Sequence, residues 1–174
     1  MEGKSIKESL SEMKDLAVLA IDLAYCSLFF DNKEIAREVK KIAEKMDSLR
    51  DETEKMVLRA SKSEDEDKLV GLLRTSAYTE RISDVAAQIA DVVLDGKIHE
   101  IEKESFKDSN QNFKMIRVDK EFEGRKIAEI GDIKNIWIIA IKRKDKWSYH
   151  PSGKVSVSKG DVLIGTSPQG YEKA

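Results

Sequence analysis

The sequence predicts an α plus α+β chain, in which an antiparallel three-helix bundle is followed by a small α+β domain. Two observations carry that reading. Up to about residue 97 apolar residues recur every three or four positions, the period of helices buried on one side. Beyond residue 112 they fall in short β-branched or aromatic runs separated by Gly, Asp and Pro, which is the pattern of strands and turns.

The first helix carries Ile6, Leu10, Met13, Ala17, Ile21, Ala24 and Leu28 as a stripe and ends at the turn-like Asp31-Asn32 pair. Its stretch Leu16 to Phe30 is apolar nearly all round, so it predicts an extra contact, a homodimer through the helical half. A second helix follows with Ile35, Val39, Ile42, Met46, Leu49, Thr53, Met56 and Ala60 on one face. The acidic linker SKSEDED then leads into a third, Leu69 to Leu94, with Ile82, Val85, Ala86, Ile89, Val92 and Val93 assigned to its inner face. From Asp95 to Asn112 the pattern dissolves into charge, a glycine and a polar cluster. The expected division is therefore a helical domain over 1–97, a linker over 98–111 and an α+β domain over 112–174. In that last part FKMIRV, WIIAIKR, KWSYH and DVLIGT predict strands, and GRKIAEIG predicts a short helix between Gly124 and Gly131. About 60 residues is near the low end of what folds alone, so this sheet is expected to find cover in a dimer.

Composition excludes several function classes. Charged residues make up 37% of the chain and the formal net charge is -2, with Lys and Arg spread along its length. No basic footprint for nucleic acid results. The longest apolar run is interrupted by Asp22 and falls short of the roughly 20 residues a spanning helix needs. The N-terminus does not read as a secretory signal, and a cytoplasmic protein is expected. Cys26, the single cysteine, reads as a small buried hydrophobe. The 9 glycines form neither a dinucleotide fingerprint nor a phosphate loop, so NAD is not expected. His99 and His150 have no zinc-ligand spacing, and His150 reads as a turn or strand-end residue. No nucleophile-elbow motif is visible, and the chain is not expected to be an enzyme.

Two carboxylate pairs fall at helical spacing, Asp47 with Asp51 and Glu80 with Asp84, so that each could present two oxygens to one cation. Spacing alone does not single them out, because 33 acidic residues make such pairs common. Set at 100° per residue, both pairs lie opposite the apolar stripes and point away from the core. Two readings stand: a solvated face whose acids meet Arg50, Arg81 or Lys55, or a cation site for a hard divalent metal or iron.

The segments EIAREVKKIAEKMDSLRDETEKMVLRA and LLRTSAYTERISDVAAQIADVV resemble the PhoU domain, the three-helix repeat of phosphate-uptake regulators. That resemblance implies metal binding by Asp47, Asp51, Glu80 and Asp84 on the bundle surface. It also implies a dimer that supplies a second repeat. VDKEFEGRKIAEI, IIAIKR, Pro151 and GDVLIG resemble the TrkA C-terminal (RCK C-terminal) domain of cytosolic potassium-transport regulators. The combination is similar to archaeal PhoU and TrkA-C regulatory proteins. It implies a regulatory subunit peripheral to a membrane cation channel or transporter, with a small ligand such as cyclic di-AMP at a dimer seam formed by Ile133, Lys134, Trp137 and Ile138. The closing helix usual in that domain is reduced to about one turn by the short tail SPQGYEKA. The alternatives are a metal-binding phosphate-uptake regulator, a dimeric scaffold without a small ligand and, further off, a metal-dependent hydrolase.

Overall fold

The computed structural model describes residues 4–61, 65–107 and 111–168. Three long helices precede a small four-stranded antiparallel sheet, so an all-α half is followed by an α+β half. The chain divides into two compact units, Met1–Lys103 and Glu104–Ala174.

In the first unit α1 (Ile6–Phe30), α2 (Lys33–Ala60) and α3 (Glu66–Asp95) each pack on the other two. Each N-terminus has a side-chain cap. Ser5 and Glu8 form a reciprocal capping box, Asn32 Oδ1 accepts from the Glu34 and Ile35 amides, and Asp65 Oδ1 accepts from those of Asp67 and Lys68. Asp31 ends α1 in the left-handed region (φ 49°), so two residues suffice to reverse the chain, and Gly96 (φ 69°) ends α3.

The core takes its bulk from two helices. Met13, Leu19 and Leu23 of α1 and Ile35, Val39, Ile42 and Met46 of α2 are buried, and α2 follows the expected stripe as far as Thr53, after which Val57 replaces Met56 inside. The buried face of α3 is instead mostly small: Ser76, Ser83, Ala86, Ala87 and Ala90, with Leu69 and Val93 toward its two ends. Of the inner face expected for α3, Ala86 and Val93 are buried and Ile89 and Val92 half-buried, whereas Ile82 is 43% and Val85 55% exposed, which corrects those two. Large side chains from two helices leave room for small ones from the third, and packing density decides over apolar content. The same packing absorbs Leu16 to Phe30. Leu19, Leu23 and Cys26 have no exposure and only Val18 and Tyr25 open outward, so the bundle alone covers most of that run and the ground it gave for a dimer falls away. Burial pushes the Cys26 thiol pKa far up, which keeps it an unreactive hydrophobe.

A helix, α4 (Glu100–Lys107), lies within the stretch expected to be linker, and the division between the units falls inside it. His99 stands at its start: its amide donates to Glu102 Oε2 and its Nδ1 accepts from the Ile101 amide. Capping chemistry supplies what the weak apolar periodicity lacked.

The second unit contains β1 (Gln111–Arg117), α5 (Ile127–Lys134), β2 (Trp137–Arg143), β3 (Lys146–Tyr149) and β4 (Val162–Pro168), with sheet order β1-β4-β2-β3 and every pairing antiparallel. Helix α5 runs past Gly131 to Lys134, where Asn135 (φ 50°) ends it. Val118, Phe122, Ile127, Ile130, Ile141, Val157 and Leu163 form the core. His150 follows β3 in the left-handed region and donates its amide to Ile139 O, in keeping with a turn residue. Ser167 and Pro168 extend β4, and the rest of the expected terminal turn lies outside the described residues.

Candidate functional site

Of the four carboxylates expected to bind metal, the fold brings three together. Asp47 from α2 and Glu80 and Asp84 from α3 each offer an oxygen within 4.8 Å of the other two, the one such cluster among the described residues. The small face of α3 places them. Ser76, Ser83 and Ala87 define the inward direction, and Glu80 and Asp84 lie 40° and about 80° from it on a helical wheel. They therefore flank the α2–α3 contact, half-buried, instead of pointing directly away from the core as the sequence pattern suggested. Asp51 is exposed and stands outside the cluster.

At that level of α2 the residue that reaches α3 is Arg50. Its Nη1 lies 3.2 Å from Glu80 Oε2 and its Nε donates to Glu54 Oε1 at 2.8 Å. Glu54 first, and then the charge of Glu80, hold the guanidinium above its ordinary pKa. Three formal negative charges thus converge with one cation beside them. Asp91, on the same helix, is accounted for differently: it pairs with Lys40 of α2 at 2.9 Å. Arg81 lies over the Tyr78 ring at 5.8 Å, away from the cluster acids.

The donor set fits a hard cation. Calcium–oxygen distances of about 2.3–2.6 Å put two ligands of one ion up to about 5 Å apart, and the cluster oxygens lie within that limit. Carboxylates alone suit Ca²⁺, Mg²⁺, Mn²⁺ or iron, not a zinc cage. Bound there, such an ion would cross-link α2 to α3 and offset the repulsion among the acids.

In the second unit, a pocket of about 700 Å³ opens between α5 and the start of β2, lined among others by Ala128, Asp132, Asn135, Trp137, Ile138 and Pro151. Beside it Gly165 of β4 lets Ile136 and Trp137 approach the strand closely: a Cβ there would come within 2.7 Å of Ile136 Cδ1 and 3.0 Å of Trp137 O. Of the four residues expected to hold a ligand, Trp137 and Ile138 line this pocket, and Trp137 is 77% exposed. Ile133 is 52% exposed but not part of the lining. Lys134 lies over the Phe122 ring at 4.9 Å, and its carbonyl accepts from Lys114 Nζ. Asp132 and Asn135 were not among the residues expected from the sequence; for Asn135 the available signal was an Asn two residues before a strand, which favours the left-handed helix stop.

No helix among the described residues is long and apolar enough to cross a membrane. No curated protein matches the chain. Residues 10–93, which hold the whole carboxylate cluster, match the PhoU domain.

Proposed function

We propose that this chain is a regulatory protein of the phosphate-uptake-regulator kind, whose helical unit binds a hard divalent cation or iron through Asp47, Glu80 and Asp84. The observation that carries the reading is the convergence of those three oxygens inside the segment that matches the PhoU domain. The cation's part is structural. It would tie α2 to α3, with Arg50, which bridges Glu54 and Glu80, as the fixed positive charge beside it. No catalytic step is assigned to the site. Calorimetric titration of the full chain with Mn²⁺ and Ca²⁺ tests it: the wild type gives a binding isotherm that an Asp47→Asn, Asp84→Asn variant loses. Equal heats from both proteins would remove the site.

A second reading extends the first, with the α+β unit sensing a small ligand and the whole chain acting at the cytoplasmic side of a membrane cation transporter. Its support is the largely apolar pocket beside the exposed Trp137, together with the resemblance of that unit to the TrkA C-terminal domain. Fluorescence titration with cyclic di-AMP tests it directly, because Trp137 and Trp147, the 2 tryptophans, both lie in this unit. An unchanged signal together with no retention in equilibrium dialysis would leave the unit without that ligand.

A further inference from the structure

The outer face of α3 carries an apolar seam. Tyr78, Ile82, Val85, Ile89 and Val92 follow steps of four, three, four and three, the spacing by which one helix packs along another. The first three are 58%, 43% and 55% exposed, and the last two are half-buried. The bundle core uses a different face, through Ser76, Ser83, Ala86, Ala87, Ala90 and Val93, which borders the seam only along the Ile82 side. A helix interior to one bundle does not need bulky apolar residues on its outer side, and four β-branched residues with Tyr78 in register form a patch rather than scattered exposure.

We infer that this seam pairs α3 with α3 of a second copy of the chain, antiparallel and centred between Ser83 and Asp84. Charge chooses the occupant and the direction. In that register Ile82 lies against Val85, Tyr78 against Ile89 and Thr75 against Val92 of the second copy. Since the arrangement is two-fold symmetric, each contact occurs twice. The border of the seam is lined by Arg74, Arg81, Gln88 and Asp95, all exposed. Antiparallel pairing sets Arg74 beside Asp95 and Arg81 beside Gln88 of the second copy, whereas parallel pairing sets both arginines beside Thr79 and Ala86 and gives them no acid. Asp95 already meets Lys97 Nζ at 2.8 Å, an exposed pair two residues apart that is readily exchanged.

The size of the seam sets the strength. Thr75 to Val92 spans about 26 Å at 1.5 Å per residue. One helix pair of that length buries less than the roughly 800 Å² per partner of a standard interface, which puts the contact in the weak, reversible class. The seam lies on the far side of α3 from Ser76 and Ser83 and does not depend on the carboxylate cluster.

Sedimentation velocity of the full chain over a micromolar concentration series, with chelator present, tests the proposal. The wild type sediments as a concentration-dependent dimer. Ile82→Asp combined with Val85→Asp is monomeric across the series, and because both residues are exposed its helical circular dichroism stays that of the wild type. Arg74→Glu weakens dimerisation by about fivefold, and Asp95→Arg added to it restores the wild-type constant, the result only antiparallel pairing gives. A wild type that stays monomeric overturns the proposal and leaves the seam to a different protein. A doubly substituted chain that still dimerises overturns it by placing the interface elsewhere, and charge exchange without rescue overturns the antiparallel register.

Discussion

Arg50 is the residue whose replacement separates a cation site from a structural ion-pair network. Its guanidinium lies 3.2 Å from Glu80 Oε2, with Glu80 14% and Arg50 35% exposed as side chains. A cation taking the same carboxylate either competes for Oε2 or binds Oε1 beside it, and in both cases it sits close to a fixed positive charge. Partly exposed ion pairs contribute about 0.2–1 kcal/mol, so Arg50→Gln removes a competitor of that size. At about 1.4 kcal/mol per factor of ten, the variant binds Mn²⁺ up to about fivefold more tightly than the wild type. Without metal the variant is the less stable protein, because the contacts to both Glu54 and Glu80 are gone. With metal the difference shrinks, because ligand binding stabilises the folded state by mass action. Paired calorimetric titrations and thermal melts with and without Mn²⁺ measure both effects. Unchanged or weaker binding by Arg50→Gln would show that Glu80 is not a ligand and that the Arg50 network is structural only.

Three further predictions concern the fold that holds these sites. Ser9 and Thr53, both without exposure, share a hydrogen bond of 2.7 Å between α1 and α2, while Thr53 also donates to Leu49 O. Thr53→Val should cost about 1–3 kcal/mol by stranding the Ser9 hydroxyl and the double variant with Ser9→Ala clearly less than the sum of the singles; additive urea-unfolding energies would contradict this. Glu12 has its pKa lowered first by Lys4 and then by Lys45, which reaches it from α2 at 2.6 Å. A depressed carboxylate pKa gives stability that is present above the ordinary value and lost as pH falls through the folded one. Acid should therefore narrow the difference in melting temperature between wild type and Glu12→Gln, and a difference that widens below pH ~4 would refute the assignment. In the second unit, the buried Asp161 accepts the Arg143 Nε–H, shared between its two oxygens, one bond from Arg143 Nη2 and one from the Ser158 amide. Asp161→Ala should lower that unit's stability by about 2 kcal/mol, read from tryptophan fluorescence, with little change in the helical signal of the first unit. Parallel losses in both signals would contradict it.

The elements were legible because their signals are local. Asp31-Asn32 supplies both a left-handed stop and the next N-cap, and the run Trp137 to Arg143 is wholly β-branched, apolar or basic around one alanine. The orientation of α3 was not legible, because apolar content selected Ile82, Val85 and Ile89 whereas the bundle takes in Ser83, Ala87 and Ala90. Which face of a helix is buried depends on the volume left by its neighbours, and a single helix does not carry that information. The carboxylate cluster follows from the same rotation. Turning α3 by its small residues brings Glu80 and Asp84 up beside Asp47, and it leaves the larger apolar residues outside. For Asp51, the four-residue spacing was satisfied on its own helix, but Arg50 takes the cross-helix position beside Glu80. The pocket of the second unit gathers residues far apart in sequence, Ala128 and Asp132 with Pro151 and Ser167, which no local pattern brings together.

Paramagnetic broadening by Mn²⁺ tests the cation site most directly, because it reports position as well as affinity. Added at substoichiometric levels to the isotopically labelled chain, Mn²⁺ is predicted to broaden the amides around Asp47, Glu80 and Asp84 first. Asp51→Asn should leave that pattern in place, and Asp84→Asn should abolish it. Broadening that begins elsewhere, or that survives Asp84→Asn and disappears with Asp51→Asn, would contradict a cation site built by α2 and α3 at this cluster.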